Sequence, residues 1–164
     1  PGIRARRLDH VNIRVNDPRA FHDFVTQVLE LRLSDRTGDY SRAWYRASDG
    51  FHHTLAAGPG EGLHHYGFDA NTLMDLAGVA DGLALKGRTL LWGLGRHGPG
   101  NNIFSYYQDP IGCVIETSIG MERFDEDATR RAGVWTDVAL AKLFDVWGSK
   151  PPTPYNQALT PFVI

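Results

Sequence analysis

A ten-residue pattern occurs twice in this chain and constrains the fold more than any other feature of the sequence. Residues 8–17 read Leu-Asp-His-Val-Asn-Ile-Arg-Val-Asn-Asp, and residues 63–72 read Leu-His-His-Tyr-Gly-Phe-Asp-Ala-Asn-Thr. Both copies contain Leu-x-His, then the alternation of a strand, then a polar residue able to cap a helix. The offset of 55 residues predicts an internal duplication.

The residues that follow each copy repeat as well. Asp17 is placed to cap a helix that begins at Pro18, and Asn71 or Thr72 is placed to cap a second helix. Apolar residues then recur at helical spacing, which predicts a buried stripe on each helix. They are Phe21, Phe24, Val25, Val28 and Leu29 in the first helix, and Leu73, Leu76, Ala77 and Ala80 in the second. His22 falls on the polar side of the first helix, so we expect it to face solvent.

Three short strand candidates follow each helix, at about 32–37, 42–47 and 51–57, and again at about 88–93, 102–108 and 112–118. The fold is therefore predicted to be α+β. Two βαβββ modules, at about 8–57 and 63–119, would form two curved sheets of eight strands in all around a cavity. Residues 120–164 are predicted to form an arm that packs over the domain through Trp135, Phe144 and Trp147, making 1–164 a single domain. The prolines of 151–154 predict neither regular helix nor central strand there.

Composition and charge exclude several classes of function. The chain has 164 residues, 42% hydrophobic and 22% charged, which suffices for one domain with a core. Its net charge of −2 gives no reason to expect a nucleic-acid partner. No apolar run approaches membrane-spanning length, and no secretory leader is visible. The single cysteine, Cys113, is predicted to be a small core residue in a cytoplasmic protein.

Strand parity singles out two of the seven histidines. His10 lies on the polar face of the first strand, and His65 is its equivalent in the second copy, so the two should converge. Glu116 follows two apolar residues in the last strand, where an unpaired carboxylate is costly to bury. Any one of these residues alone would usually be structural. Their coincidence predicts a metal site of two histidines and one carboxylate, which is typical of non-haem Fe(II) oxygenases.

Three segments resemble the metal-ligand segments of the vicinal oxygen chelate superfamily. They are Leu8-Asp9-His10-Val11, Leu63-His64-His65 and Asp109-Pro110-x-Gly112-x-x-x-Glu116. Between about residues 8 and 124 the chain further resembles the type I extradiol dioxygenases, which cleave catechol rings. The residues that carry this closer resemblance are Arg96-His97-Gly98, Tyr106 nine residues after His97, and Phe51-His52-His53-Thr54-Leu55-Ala56.

The resemblance implies the glyoxalase/bleomycin resistance/extradiol dioxygenase fold and a catalytic domain. It implies Fe(II), with Mn(II) as the alternative, bound by His10, His65 and Glu116. A catechol and O₂ would be the substrates and a muconic-semialdehyde-type compound the product. His53 would be the acid–base residue, with His52 as the alternative. Tyr106 would hydrogen-bond the substrate, and His97 would position the substrate or stabilise the oxygen species. The side of the ring that is cleaved and the formation of a homo-oligomer stay open.

Two other functions stay open from the sequence. A glyoxalase-like or thiol-transferase metalloenzyme of the same superfamily needs the three ligands but not the combination of His53, His97 and Tyr106. A metal-free drug-binding resistance protein would show no converging ligands. The chain also lacks the extra N-terminal double module of familiar extradiol enzymes, so a natural single-domain enzyme and an excised catalytic domain both fit. Arg96 is expected either to meet a substrate carboxylate or to pair with an acidic neighbour.

Overall fold

Nine strands form one mixed sheet in this computed structural model, which describes residues 3–125 and 130–162. The strands are Arg7–Val15 (β1), Arg32–Thr37 (β2), Ala43–Arg46 (β3), Leu55–Pro59 (β4), Gly62–Asp69 (β5), Trp92–Arg96 (β6), Ile103–Gln108 (β7), Val114–Ile119 (β8) and Gly133–Trp135 (β9). The helices are Pro18–Gln27 (α1), Leu73–Ala84 (α2) and Thr153–Asn156 (α3), with a 3-10 helix at Asp137–Lys142.

The strand order shows the duplication directly. The sheet runs β6-β7-β8-β5-β1-β4-β3-β2-β9. In each module the first strand pairs in parallel with the fourth, β1 with β4 and β5 with β8. The modules meet where β1 pairs antiparallel with β5. The α+β prediction is confirmed. However, because β1 and β5 are hydrogen-bonded, the modules share one sheet instead of forming two, and β9 from the C-terminal segment makes nine strands instead of eight.

Both main helices begin at the predicted caps. The Asp17 side chain accepts backbone hydrogen bonds from the first turn of α1. Of the two candidates for α2, Thr72 is the cap: its hydroxyl accepts from the backbone N–H of Asp75, and the Asp75 carboxylate accepts from the backbone N–H of Thr72. This reciprocal capping box satisfies two donors that a helix start leaves unpaired. The sequence signal for helix starts was therefore reliable.

The predicted apolar stripe of α1 is wrong in extent. Val25 is fully buried, whereas Phe24, Val28 and Leu29 are at least half exposed. The helix ends at Gln27, so its last two predicted members lie beyond it.

The solvent-facing placement of His22 is also wrong. Its ring is half-buried and lies beside the rings of Tyr40 and Tyr45. Nδ1 of His22 is 3.3 Å from the Tyr45 hydroxyl. Tyrosines from the neighbouring strand and loop, which the helical pattern could not reveal, supply this contact.

Two predicted strands are displaced along the chain. β4 begins at Leu55 instead of residue 51, because Phe51 and His52 pair with the segment after β8: Phe51 bridges to Arg123, and the backbone N–H of His52 donates to the carbonyl of Glu122. β6 begins at Trp92 instead of residue 88 and continues through two glycines, which have weak strand propensity. A side chain at Gly95 would collide with the Phe104 ring, so packing requires the glycine that obscured the strand.

The segment after β8 packs on the sheet, as predicted, but not through all three aromatic residues. Trp135 lies on β9, which pairs with β2, and its Nε1 donates to Oδ2 of Asp35 at 2.8 Å. Phe144 packs against the core cluster around Trp92. Trp147 is 57% exposed, so its predicted packing role is wrong. Residues 126–129, within the charged stretch 124–131, lie outside the described residues.

The prediction for the proline-rich stretch at 151–154 is wrong in its second half. A short helix, α3, begins at Thr153, and Pro154 lies in its first turn. Proline is tolerated there because the first N–H groups of a helix have no intrahelical acceptor. Cys113 is buried, as predicted. Among the described residues, no helix has the length and apolar character needed to cross a bilayer. The extent of a catalytic domain over 1–164 stays a prediction.

Candidate metal centre

Three neighbouring strands bring His10, His65 and Glu116 together. In the adjacent strands β1, β5 and β8, Gly67 pairs with His10 on one side and with Glu116 on the other. The three side chains are buried. A Cβ at position 67 would lie 2.7 Å from Nδ1 and 2.9 Å from Nε2 of His10. The glycine therefore makes room for the imidazole of His10.

The ligand atoms of the three residues form a compact triangle. Nε2 of His10 is 3.2 Å from Nε2 of His65 and 3.2 Å from Oε2 of Glu116. Nε2 of His65 is 3.4 Å from the same oxygen. Bonds of about 2.0–2.2 Å to one ion place neighbouring ligands roughly 3.0 Å apart in octahedral geometry and about 3.4 Å apart in tetrahedral geometry. The triangle therefore fits one divalent ion, and its edges suit either geometry.

Neighbouring groups determine which nitrogen of each imidazole carries hydrogen. Nδ1 of His10 lies 3.0 Å from a carboxylate oxygen of Asp9, to which it donates. Nδ1 of His65 lies 2.7 Å from Nδ1 of His64, whose Nε2 donates to a backbone carbonyl. Since His64 donates through Nε2, its Nδ1 accepts from His65. When both imidazoles are neutral, their Nε2 atoms turn lone pairs toward Glu116. These three electron-rich atoms in contact then need a positive charge between them, either a metal ion or a proton.

The electrostatics of the metal-free site point the same way. Burial lowers the pKa of His10, but the charge of Glu116 and hydrogen bonds to Asp9 and Glu116 outweigh burial and raise this pKa to about 10. Burial raises the pKa of Glu116, but the charge and hydrogen bond of His10 lower it to about 2. Burial, helped by His64 and His10, lowers the pKa of His65 well below its usual value. Without metal, one proton on His10 supplies the positive charge that a divalent ion would replace.

His53 lines the same cavity, and His52 lies behind it. The ring centres of His53 and His10 are 4.7 Å apart. Nδ1 of His53 is 3.0 Å from Nδ1 of His52, and Nε2 of His52 is 3.4 Å from Oδ2 of Asp35. His52 is fully buried and packs against the Phe124 ring. Of the two acid–base candidates, His53 is therefore the one that a ligand in the cavity can reach.

His97 and Tyr106 also lie beside Glu116. Tyr106 pairs with Glu116 between β7 and β8, and its hydroxyl donates to Oε2 of that residue. Nε2 of His97 lies 2.8 Å from the same hydroxyl, and its Nδ1 donates to the Phe144 carbonyl at 2.6 Å. Burial lowers the pKa of His97 and raises that of Tyr106 well above its usual value, so both rings are neutral near pH 7. The one hydroxyl proton of Tyr106 thus has two acceptors.

The cavity is also lined by residues that sequence reasoning did not place at the site. They are Asn12, Arg14, Arg42, Phe144 and Tyr155. Strand parity held a signal for Asn12 and Arg14, which share the His10 face of β1. Arg42 begins the strand candidate at about 42–47, but the structure places it in the bend before β3. Oδ1 of Asn12 is buried and has no hydrogen-bond partner among the described residues.

A further carboxylate contact and one wrong expectation complete the description of this region. Asn102, which sequence reasoning missed, donates to Oε1 of Glu116 at 2.9 Å. Of the two expectations for Arg96, the acidic neighbour is wrong, since its side chain meets no carboxylate among the described residues. Its guanidinium donates to the carbonyl and side-chain oxygens of Asn101 at 2.8 and 3.2 Å, and it does not line the cavity. The nearby Asp145 accepts from the backbone N–H of Arg96 and from the backbone N–H groups of Trp147 and Ser149, and it is not paired with the Arg96 guanidinium.

Comparison with known proteins identifies relatives with the same fold. Metapyrocatechase 2 from Cupriavidus necator is 32% identical over 152 residues, which are 92% of this chain and 47% of the relative. A manganese-dependent 2,3-dihydroxybiphenyl 1,2-dioxygenase from Geobacillus genomosp. 3 is 29% identical over 126 residues, covering 66% of this chain and 38% of the relative. This chain therefore spans half or less of the length of the curated relatives that it matches.

A solved structure and a family profile complete the comparison. The Mn(II)-bound glyoxalase from Novosphingobium aromaticivorans superposes with a TM-score of 0.80 at 30% identity, covering 92% of this chain and 49% of that chain. The profile of the Glyoxalase/Bleomycin resistance protein/Dioxygenase superfamily matches residues 7–117, from β1 to the strand that carries Glu116. With this match and the duplicated sheet topology in place, the chain belongs to the Glyoxalase/Bleomycin resistance protein/Dioxygenase superfamily.

Proposed function

We propose that this chain is an extradiol dioxygenase that cleaves a catechol ring with O₂ at a single Fe(II) or Mn(II) ion. The observation that carries the proposal is the buried triangle of His10, His65 and Glu116, with His53 and Tyr106 on the same cavity wall. The two curated relatives described above support this assignment.

The donor set suits such an ion. Two neutral imidazoles and one carboxylate leave coordination positions for substrate, and hard or borderline ions such as Fe(II) and Mn(II) accept this mixture. The ion would hold both catechol oxygens, favour their deprotonation and bring O₂ to the ring. Fe(II) is the first choice because this ligand set is that of non-haem Fe(II) oxygenases. Mn(II) is the alternative, because one relative is named as a manganese-dependent dioxygenase.

His53 is arranged to act first as a base and then as an acid. Burial, helped by the charge of His10, lowers the pKa of His53 well below its usual value, so its free ring is neutral. Nε2 of His52 lies 3.4 Å from Oδ2 of Asp35 but forms no hydrogen bond to a described residue. A hydrogen on this nitrogen, facing the carboxylate, would leave Nδ1 of His52 to accept from Nδ1 of His53. The lone pair of His53 is then on Nε2. That nitrogen would accept a proton from a catechol hydroxyl. It would later donate this proton to the oxygen atom that leaves when the O–O bond breaks.

Tyr106, His97 and Asn12 would position the substrate. The Tyr106 hydroxyl lies within hydrogen-bond distance of both Nε2 of His97 and a Glu116 oxygen, so it would exchange one of these two acceptors for a catechol oxygen. The unpartnered Oδ1 of Asn12 offers an acceptor for a substrate hydroxyl. Each contact orients the ring relative to the ion, and orientation is a large part of such catalysis.

A glyoxalase-like reaction is the second candidate, because a Mn(II)-bound glyoxalase shares the fold at 30% identity. It would use the same three ligands and consume no O₂. The metal-free drug-binding alternative predicts no converging ligands, whereas three ligand atoms converge here. A cytoplasmic location, the absence of nucleic-acid and membrane partners, and a homo-oligomeric state stay predictions.

Anaerobic reconstitution tests the proposed function. The chain is loaded with Fe(II) or, separately, Mn(II), mixed with a panel of catechols, and then exposed to air. We expect a yellow ring-fission product and one O₂ consumed per catechol. Isomerisation of a thiol adduct without O₂ uptake would favour the glyoxalase-like reaction, and inactivity with both metals on the whole panel would contradict the proposal.

A further inference from the structure

Two arginines line the cavity that contains the three ligands. Arg14 lies on β1, on the same strand face as His10 and Asn12, and Arg42 lies in the loop before β3. Both side chains are half-buried. They also border a neighbouring pocket formed by residues 156–159 and 59–60. Arg14 and Arg42 therefore border both the cavity at the three ligands and this neighbouring pocket.

Neither arginine has an acidic partner within the part of the chain that the structure describes. No carboxylate oxygen there lies within 4.0 Å of either guanidinium, and neither guanidinium forms a hydrogen bond. Cζ of Arg42 lies 5.3 Å from the centre of the Phe144 ring. Asp39, the acid whose charge reaches Arg42, is itself held by Thr37. By contrast, Arg7 and Arg130 each pair with two carboxylates.

Two unpaired cations in one cavity are costly in the empty protein. Burial lowers the pKa of the Arg14 guanidinium, and the like charge of Arg42 lowers it further. Burial likewise lowers the pKa of Arg42. Arginine stays protonated at neutral pH despite such shifts, so the charge is compensated only by an anion from outside. A guanidinium fork matches a carboxylate in shape and binds it through two parallel hydrogen bonds.

From this arrangement we infer that Arg14 and Arg42 bind a carboxylate on the substrate, so that the substrate class is a catechol carrying a carboxylate side chain. The inference rests on the proposed function for the catechol part. Arg14 lies four residues beyond His10, or about 13 Å along a strand that rises ~3.3 Å per residue. The carboxylate therefore lies remote from the oxygens at the ion, which favours a side chain on the ring position para to one hydroxyl.

Matched substrates and matched variants test the inference. 3,4-Dihydroxyphenylacetate is compared with 4-ethylcatechol, which has a neutral side chain of similar size. We expect kcat/KM to be on the order of 10-fold to 100-fold higher for the carboxylate, the range for hydrogen bonds to a charged group. Arg14→Gln and Arg42→Gln should each remove most of this preference, because each lowers kcat/KM for the carboxylate substrate much more than for 4-ethylcatechol. Arg4→Gln, an exposed arginine outside the cavity, is the control and should retain the preference.

A binding measurement separates this inference from the proposed function. Phenylacetate has the carboxylate but no hydroxyl groups, and its dissociation constant is measured by calorimetry on the metal-loaded chain without O₂. We expect both cavity variants to weaken its binding by 10-fold or more relative to Arg4→Gln. If no catechol is cleaved but phenylacetate binding depends on Arg14 and Arg42, the carboxylate site stands and the dioxygenase proposal fails. If both catechols are cleaved equally and phenylacetate binding is unaffected in the variants, the inference is overturned and the proposed function stands.

Discussion

Gly67→Ala should displace a metal ligand without altering any ligand. The new Cβ would lie 2.7 Å from Nδ1 of His10 and closer still to Cε1, where ordinary contact begins at 3.4 Å, so the ring must move by more than about 0.7 Å. Metal sites hold their ligand distances within about 0.2 Å. The His10 ring is buried and hydrogen-bonded to Asp9, so it cannot swing away freely. We expect metal affinity to fall by about 10-fold to 100-fold, or about 1.4–2.8 kcal/mol at 1.4 kcal/mol per tenfold.

The assay is calorimetric titration of the metal-free variant with Mn(II), beside thermal unfolding. Overpacking alone costs about 1–3 kcal/mol of stability, so a control substitution that also lowers stability, but away from the metal centre, is needed. Gly87→Ala provides it: Gly87 has a φ of 67° and no atom within 4 Å of an added Cβ, outside the metal centre. It should lower the melting temperature but retain metal affinity. Wild-type affinity in Gly67→Ala would refute the reasoning that places His10 at the ion.

Other predictions follow from the same site. His65→Ala should abolish metal retention after dialysis, measured by elemental analysis; a normally active, metal-loaded variant would refute its assignment as a ligand. His53→Ala should keep the metal but lower turnover by roughly 10²-fold, with His22→Ala as the histidine control; equal loss of metal would contradict the acid–base role. Because the metal-free pKa of His10 is about 10, metal binding at pH 7 should release about one proton, measured by calorimetry in buffers of different ionisation enthalpy. Absence of release would contradict that protonation state. The same raised pKa predicts that His10 stabilises the metal-free fold fully below pH 6.5, its ordinary value, and that this stabilisation is lost as the pH rises through about 10. Melting curves across this range check it.

The sequence was informative where a periodic pattern and a duplication reinforced each other. Parity along the two copied strands placed His10 and His65 on equivalent faces, and the sheet brings their Nε2 atoms within 3.2 Å. Helix starts were predictable because capping is local chemistry between residues three apart. The pairing of β1 with β5, which merges two modules into one sheet, depends on long-range contacts and was not predicted.

The misses share a physical cause, which is dependence on tertiary partners. β6 was placed too early because its glycines read as loop, although the Phe104 ring requires one of them. His22 was assigned to solvent because its tyrosine neighbours come from another element. Arg42 reaches the cavity from the bend before β3. In a bend, the alternation of side chains along a strand does not predict which way a side chain points. Asp9 and His64 were quoted only as motif letters, yet they orient the two ligand imidazoles.

The central claim is that one divalent ion binds at the triangle of His10, His65 and Glu116. A crystal grown without O₂, soaked in Fe(II) and measured at the iron absorption edge tests it most directly. We expect a single anomalous peak at about 2.0–2.3 Å from Nε2 of both histidines and from a Glu116 oxygen. A peak elsewhere in the protein, or none at this triangle with iron in excess, would contradict the account.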